Sequence, residues 1–241
     1  MEKKNLIFDC DVPSDFKIKR VGDGTCGICY LTIDNMVYKE MFSTALDLYY
    51  NIKKLSKFDS EFISFPKTLI YNAQVSNENF LGYLMNYFNG IRLNDLDGKI
   101  DILKFIRHLA LLEREVRYIS AEGVTFFDLN LDNILYSESD GIKLVDTDLY
   151  EVGLYRKDVN TQENMIELSN AIMKFLFNSY FLTFRNERLN HLYSDCGRIG
   201  KANLSDFLYE FIECINKNRN TDVKTLKQLR NHGFSYYLRE C

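Results

Sequence analysis

The hydrophobic pattern changes period near residue 90, and this restricts the fold more than any other feature of the chain. Before that point apolar residues recur every second position in short runs, the signature of strands. Phe16 to Val21, Ile28 to Ile33 and Met36 to Met41 read as three strands, separated by the cluster Gly22-Asp23-Gly24-Thr25-Cys26-Gly27 and by a tight turn at Asp34-Asn35. Thr68 to Tyr71 and Asn79 to Tyr87 read as two more, with Asn77-Glu78 between them. One helical interval interrupts the series. From Ser43 to Phe58, Leu46, Tyr49, Tyr50, Ile52 and Leu55 fall near helical spacing, with Ser43 or Thr44 available as a cap.

After residue 90 the spacing becomes 3.6. Leu103, Ile106, Ala110, Glu113, Val116 and Tyr118 belong to one amphipathic helix from about Ile100 to Ser120, closed by Gly123. A strand-and-loop region follows over Val124 to Tyr150. From about Gln162 the chain is helical again, over Met165 to Phe181, Leu204 to Asn216 and Val223 to Leu229. The expected organisation is α+β, with a small β-rich lobe over residues 1–87, a connector near Asn86 to Gly90, and a larger helical lobe over 88–241.

Composition narrows the function classes. With 241 residues, 46% hydrophobic and 27% charged, the chain can bury roughly 70% of its unfolded surface and is neither collagen-like nor disordered. Its net charge of −4 provides no overall basic field for nucleic acid. Lys53-Lys54 with Lys57, and Lys224 to Arg230, read as solvated helix faces. No run approaches the ~20 apolar residues of a membrane span, and the apolar part of Met1 to Asp9 is too short for a signal peptide. Six irregularly placed cysteines do not make a disulfide framework, so a reducing, cytoplasmic compartment is expected. Cys26-x-x-Cys29 has no second pair nearby and reads as structural, and His108, His191 and His232 are scattered.

Four features with chemical content occur in order. Gly22-x-Gly24-x-x-Gly27 lies between two strands, where glycines let a backbone approach phosphate and present amide N–H groups to it. A strand follows it rather than a helix, which argues against a dinucleotide fold. Lys39 alternates with Val37 and Met41, so it faces the apolar side of its strand and requires an anionic partner there. Asp128 and Asn133 stand five apart in Asp128-Leu129-Asn130-Leu131-Asp132-Asn133, a loop able to aim a carboxylate at a hydroxyl and an amide oxygen at a metal ion. Finally, the apolar run Ile142 to Val145 ends in Asp146, with Asp148 two residues on.

Taken together, glycine loop, strand lysine, D-L-x-x-x-N loop and carboxylate after a strand resemble the signature set of the protein kinase-like superfamily, over about Phe16 to Tyr150. The resemblance implies a two-lobed kinase-like fold and ATP-dependent phosphoryl transfer with Mg²⁺. It implies that Gly22, Gly24 and Gly27 cover the phosphates, and that Lys39 pairs with the α- and β-phosphates. Asp128 would orient or deprotonate the acceptor hydroxyl, and Asn133 and Asp146 would hold Mg²⁺, with Asp148 as a possible second metal ligand. The adenine is expected between the lobes, against the backbone of about Met85 to Tyr87. The acceptor implied is a protein Ser/Thr hydroxyl. The alternatives are a small-molecule kinase of the aminoglycoside or choline kinase type, and a nucleotide-binding pseudokinase.

The sequence departs from the family pattern at four places. Phe126-Phe127 stand where His-Arg usually precedes the catalytic Asp, so a phosphorylated loop has no arginine to dock on. The D-F-G motif reads Asp146-Thr147-Asp148. No helix glutamate is placed to pair with Lys39: Glu40 points to the other face, Asp47 is short, and Glu61 lies beyond the expected helix end. Only Leu149 to Thr161 separates Asp148 from the next expected helix, and no A-P-E motif appears.

Overall fold

A computed structural model of the chain describes residues 5–9, 12–179 and 182–239, with the side chains of residues 44–46 and 237–239 outside that description. Residues 1–4 of the N-terminal stretch, the side chains of Thr44 and Leu46, and Phe181 therefore lie outside the described residues. The fold is α+β, and the chain divides into two compact units. The first comprises residues 1–89 together with 145–152, and the second comprises 90–144 and 153–241.

The first unit is built on one six-stranded sheet. Its strands are β1 (Leu6–Phe8), β2 (Lys17–Asp23), β3 (Gly27–Thr32), β4 (Met36–Met41), β5 (Thr68–Asn72) and β6 (Phe80–Asn86), in the order β1-β5-β6-β4-β3-β2. All pairings are antiparallel except β1 with β5. The Asp34-Asn35 turn closes the β3–β4 hairpin, and Asn35 takes a left-handed φ of 56°, which asparagine tolerates. Helix α1 (Tyr49–Leu55) covers one face, where Val37, Met41, Tyr49, Ile52, Leu69, Tyr71, Phe80, Tyr83 and Met85 form the core. On the other face Val12, Tyr38 and Ile70 pack with Phe8, Phe16 and Leu84. Residues 43–48 form a 3₁₀ segment and only Tyr49–Leu55 is α-helical, so the helix expected over Ser43 to Phe58 is a single short one. Its N-cap residue is Leu48, without a side-chain cap, rather than the expected Ser43 or Thr44.

In the second unit, β7 (Ile91–Arg92) precedes the long helix α2 (Ile102–Ala121), which starts at the cap Asp101, whose carboxylate accepts from the Lys104 N–H. Gly123 ends it with φ 96°, a conformation that a residue with a Cβ rarely adopts. Strands β8 (Val124–Thr125), β9 (Ile134–Ser137) and β10 (Gly141–Leu144) follow, with β9 and β10 antiparallel and β7 against β9. Residues 145–152 belong to the first unit and end in β11 (Glu151–Val152). The rest is α3 (Lys157–Phe177), β12 (Leu182–Phe184), α4 (Glu187–Gly197), α5 (Leu204–Arg219), α6 (Leu226–Gly233) and β13 (Tyr237–Arg239).

Helix α3 begins at Lys157, eight residues earlier than its apolar pattern starts. Its first turns carry Asn160 and Asn164, which are buried and bonded rather than solvent-facing. Helix α2 buries Ile102, Phe105, Ile106, Leu109, Leu112, Val116 and Ile119, each worth roughly 1.5–3 kcal/mol, and these hold α3 and α5 against it. Glu113, fully buried on α2, accepts from the Leu204 N–H and the Ser205 hydroxyl, both at 2.5 Å, and so caps the start of α5. Among the described residues no helix is long and apolar enough to cross a membrane.

Candidate functional site

Lys39 sits mid-strand on β4, opposite Cys29 of β3 and Tyr83 of β6, on the face that α1 covers. The residue is 2% exposed. A buried ammonium is costly unless paired, and two carboxylates pair it. Lys39 Nζ donates to Asp146 Oδ1 and lies 2.5 Å from Asp148 Oδ2. The expected anionic partner is thus supplied by the chain itself, from residues 145–152 rather than from α1. Burial alone would push the Lys39 ammonium down; Asp148 and Asp146 outweigh it and hold it above its usual range.

The two carboxylates differ in setting. The Asp148 side chain is 1% exposed, and its Oδ1 accepts from the buried Tyr83 hydroxyl. Burial, and then Asp148, push the Tyr83 phenol well above its ordinary range, so Tyr83 stays a donor. Asp146 is 39% exposed at its side chain and takes φ 57°, in the left-handed region. From α1, Asn51 donates its amide to the carbonyls of Asp148, at 3.1 Å, and Tyr150. Thr147 is buried and donates its hydroxyl to the Ser64 carbonyl at 3.0 Å. The segment that carries both carboxylates is therefore fastened at Thr147, Asp148 and Tyr150.

The three loop glycines do different work. Gly22 lies in β2 opposite Cys29. At Gly27 a Cβ would run into the Glu40 carbonyl oxygen, so this glycine is required by the approach of β3 to β4 and not by a ligand. At Gly24 a Cβ would stand 3.7 Å from Asp146 Oδ2, which places the loop tip over that carboxylate. The Gly24 N–H is spent on the Gly27 carbonyl at 3.0 Å, whereas the amides of Thr25 and Cys26 make no hydrogen bond among the described residues. Cys29 faces the same group, and burial pushes its thiol up to about 11, so it is an unreactive packing residue.

Asp128 and Asn133 come together in the second unit. Asp128 takes φ 56°, and its carboxylate accepts from Asn130 Nδ2 at 3.0 Å and Asn133 Nδ2 at 3.3 Å. Asn133 Nδ2 also reaches the Asp128 carbonyl at 2.9 Å, which leaves its Oδ1 without a hydrogen-bond partner among the described residues. Asn130 Oδ1 in turn accepts from the Asp132 and Asn133 amides. Below the loop, the buried Asn164 accepts from the Phe126 N–H at 2.8 Å and donates to Ser120 Oγ and the Val124 carbonyl. Phe126 is in the core and Phe127 is at the surface. Such a carboxylate, exposed and aimed by amides in a non-glycine left-handed conformation, is the kind of strain that clusters at functional sites.

Met85 is buried in the α1-side core, opposite Val37. Tyr87 follows the end of β6, packs against the same core, and donates to Asn89 Oδ1 at 3.4 Å. Among the described residues no three His, Cys, Asp or Glu side chains are grouped to hold a metal ion. Each unit carries a hard oxygen donor, the half-exposed Asp146 carboxylate in the first and the Asn133 amide oxygen in the second. This chemistry suits Mg²⁺, which uses one or two carboxylates and takes the remainder from phosphate and water.

No family model matches this chain, and neither does any curated protein.

The site contains two residues that sequence reasoning missed. Tyr83 reads as an ordinary strand aromatic, and nothing local marks its hydroxyl as a partner for Asp148. Asn51 reads as a polar residue on a helix face. A usable signal existed for Tyr83 alone: by alternation it shares the apolar face with Met85, so its hydroxyl had to find a buried acceptor.

Proposed function

We propose that this protein is a Mg²⁺- and ATP-dependent phosphotransferase that passes a γ-phosphoryl group to a hydroxyl acceptor. The single observation that carries the reading is the buried Lys39, held in place by Asp146 and Asp148 beneath the tip of a glycine loop. A fixed ammonium on a strand, with two loop amides to spare, is what positioning of a triphosphate requires. The kinase-like two-lobed arrangement belongs to this proposal. It is supported by a first unit made of one sheet and one short helix, and by a second unit dominated by helices.

In this reading Lys39 binds the α- and β-phosphate oxygens, and the Thr25 and Cys26 amides bind phosphate from above. Asp128 accepts the hydroxyl proton, or holds that hydroxyl in line, with Asn130 and Asn133 fixing its orientation. Asp146 would hold Mg²⁺, and the resemblance assigns the Asn133 Oδ1 the same role. When bound, that ion neutralises charge on the transferring phosphoryl group.

The acceptor follows from two considerations. The resemblance points to a protein Ser/Thr hydroxyl. The shortness of the stretch between Asp148 and α3, which starts at Lys157, favours a small-molecule acceptor, because little chain is left to build a peptide platform. A pseudokinase reading is favoured by one observation: Lys39 is already matched by two carboxylates.

Purified protein incubated with Mg²⁺ and γ-labelled ATP, alongside Asp128→Asn, separates the three. Label on protein that the variant loses supports a protein kinase. ATP consumption only on adding a metabolite mixture supports a small-molecule kinase. Thermal stabilisation by ATP without turnover supports the pseudokinase. No response to ATP at all overturns the proposal.

A further inference from the structure

The paired carboxylates raise a question that the motif alone does not: one ammonium cannot serve as the permanent partner of two ligands that are also needed elsewhere. The geometry points to a division of labour, in which Asp148 is the fixed partner of Lys39 and Asp146 is the one that leaves it for the metal ion. The inference rests on the phosphotransferase reading for the part that concerns Asp146. The part that concerns Asp148 stands on packing.

Asp148 has nowhere to go. Its Oδ1 accepts from Tyr83, its Oδ2 faces Lys39 Nζ at 2.5 Å, and its side chain is 1% exposed. Its own carbonyl is held by Asn51 of α1, and the Thr147 side chain beside it is tied to Ser64. A divalent cation demands a near-complete shell of oxygens, and this carboxylate has no solvent-facing oxygen to offer. Asp146 is the opposite case. Only its Oδ1 meets Lys39; its Oδ2 faces Gly24 at the loop tip, and its side chain is 39% exposed.

Two consequences distinguish this arrangement from the family pattern. The carboxylate that steadies the strand lysine comes from two residues past the metal-ligand position rather than from the helix. Helix α1 takes part only through the Asn51 amide, which grips the backbone of the segment. Asp148 is therefore a positioning residue for Lys39, and the metal-ligand role expected for it from the sequence passes to Asp146 alone.

The test is a stability cycle combined with metal-dependent nucleotide binding on the full chain. Asp148→Asn strands a buried ammonium, so adding Lys39→Met should restore at least half of the melting temperature that it loses, because removing both charges leaves nothing unpaired. Lys39→Met should restore nothing to Asp146→Asn. Where Asp148→Asn does not fold, Tyr83→Phe replaces it, since that change removes only the second contact of Asp148. ATP binding is then measured by fluorescence with and without Mg²⁺. Asp146→Asn should lose the Mg²⁺ enhancement of affinity by about tenfold or more, the worth of one direct ion contact. Tyr83→Phe, or Asp148→Asn where it folds, should keep that enhancement. Failure of Lys39→Met to rescue Asp148→Asn overturns the Asp148 assignment, as does loss of the enhancement in Tyr83→Phe. If the wild type binds no nucleotide, the phosphotransferase reading falls and the Asp146 assignment with it, while the rescue still decides Asp148.

Discussion

Asp148 and Lys39 form an ion pair in which neither member meets solvent: the side chains are 1% and 3% exposed, with Oδ2 2.5 Å from Nζ. Replacing one member of such a pair leaves the other buried and unmatched, which costs about 3–5 kcal/mol. Asp148→Ala is therefore expected to lower the melting temperature by roughly 10 °C, at 2–4 °C per kcal/mol for a chain of this size. Asp146→Ala removes a half-exposed carboxylate from the same ammonium, and a surface-type pair is worth at most about 1 kcal/mol. Thermal denaturation of the two variants side by side checks the asymmetry. Equal losses would mean that the two carboxylates share the lysine.

The glycine loop yields a second contrast. Gly27→Ala drives a methyl group into the Glu40 carbonyl, so β3 and β4 must separate; a loss of about 2 kcal/mol or more is expected. Gly24→Ala meets only Asp146 Oδ2 at ordinary contact distance, and stability should stay within about 0.5 kcal/mol of wild type. Chemical denaturation measures both. Gly24→Ala is consequently the variant with which to ask whether the loop tip touches a ligand.

Glu113 predicts a pH dependence. Burial, opposed by the Ser205 hydroxyl and the Leu204 and Ser205 amides, pushes its carboxyl up to about 7. The folded state then holds the proton more tightly than the unfolded state, so the contribution to stability is complete below about pH 4.5 and is lost as the pH rises through 7. Glu113→Gln has nothing to titrate. Relative to wild type it should gain about 3 kcal/mol between pH 4.5 and 8, read from urea midpoints across that range. A constant difference would show that the group is not titrating there.

Phe127 lies at the surface beside Asp128, where the kinase pattern has an arginine. With no cation there, phosphorylation of residues 149–156 has no docking partner at this point. If the protein is a phosphotransferase, Phe127→Arg should leave its basal rate within about twofold, since Phe127 is exposed and the Asp128 carboxylate is already held by Asn130 and Asn133. Initial rates on wild type and variant, before and after treatment with an activating kinase, test this. Strong activation of the wild type would contradict it.

Much of the first unit is legible in the sequence because its signals are local. The turn at Asp34-Asn35 and the alternation of Val37, Lys39 and Met41 give β4 to the residue. The helix after it is less legible: Ser43 to Leu48 have helical spacing, yet they wind as 3₁₀, and periodicity does not tell the two apart over six residues. Strand β1 is three residues long and exists through its parallel pairing with β5, which no local pattern announces. Helix α4 is the clearest omission. Leu189, Tyr193 and Cys196 do fall on one face, but the polar residues around them dilute the pattern. At the site, the order of motif residues reveals Lys39, Asp128, Asn133 and Asp146 as candidates. The partner of Lys39 is hidden because Asp148 meets it only once the chain has folded back on the sheet across more than a hundred residues.

The stretch from Leu149 to Arg156 is short and is tied twice within its first five residues. Asn51 grips Tyr150, and the Gly153 N–H donates to the Gly123 carbonyl at 2.8 Å. Only Glu151 and Val152 lie between these two tethers, and they form β11. A swinging flap needs slack, and this stretch has almost none.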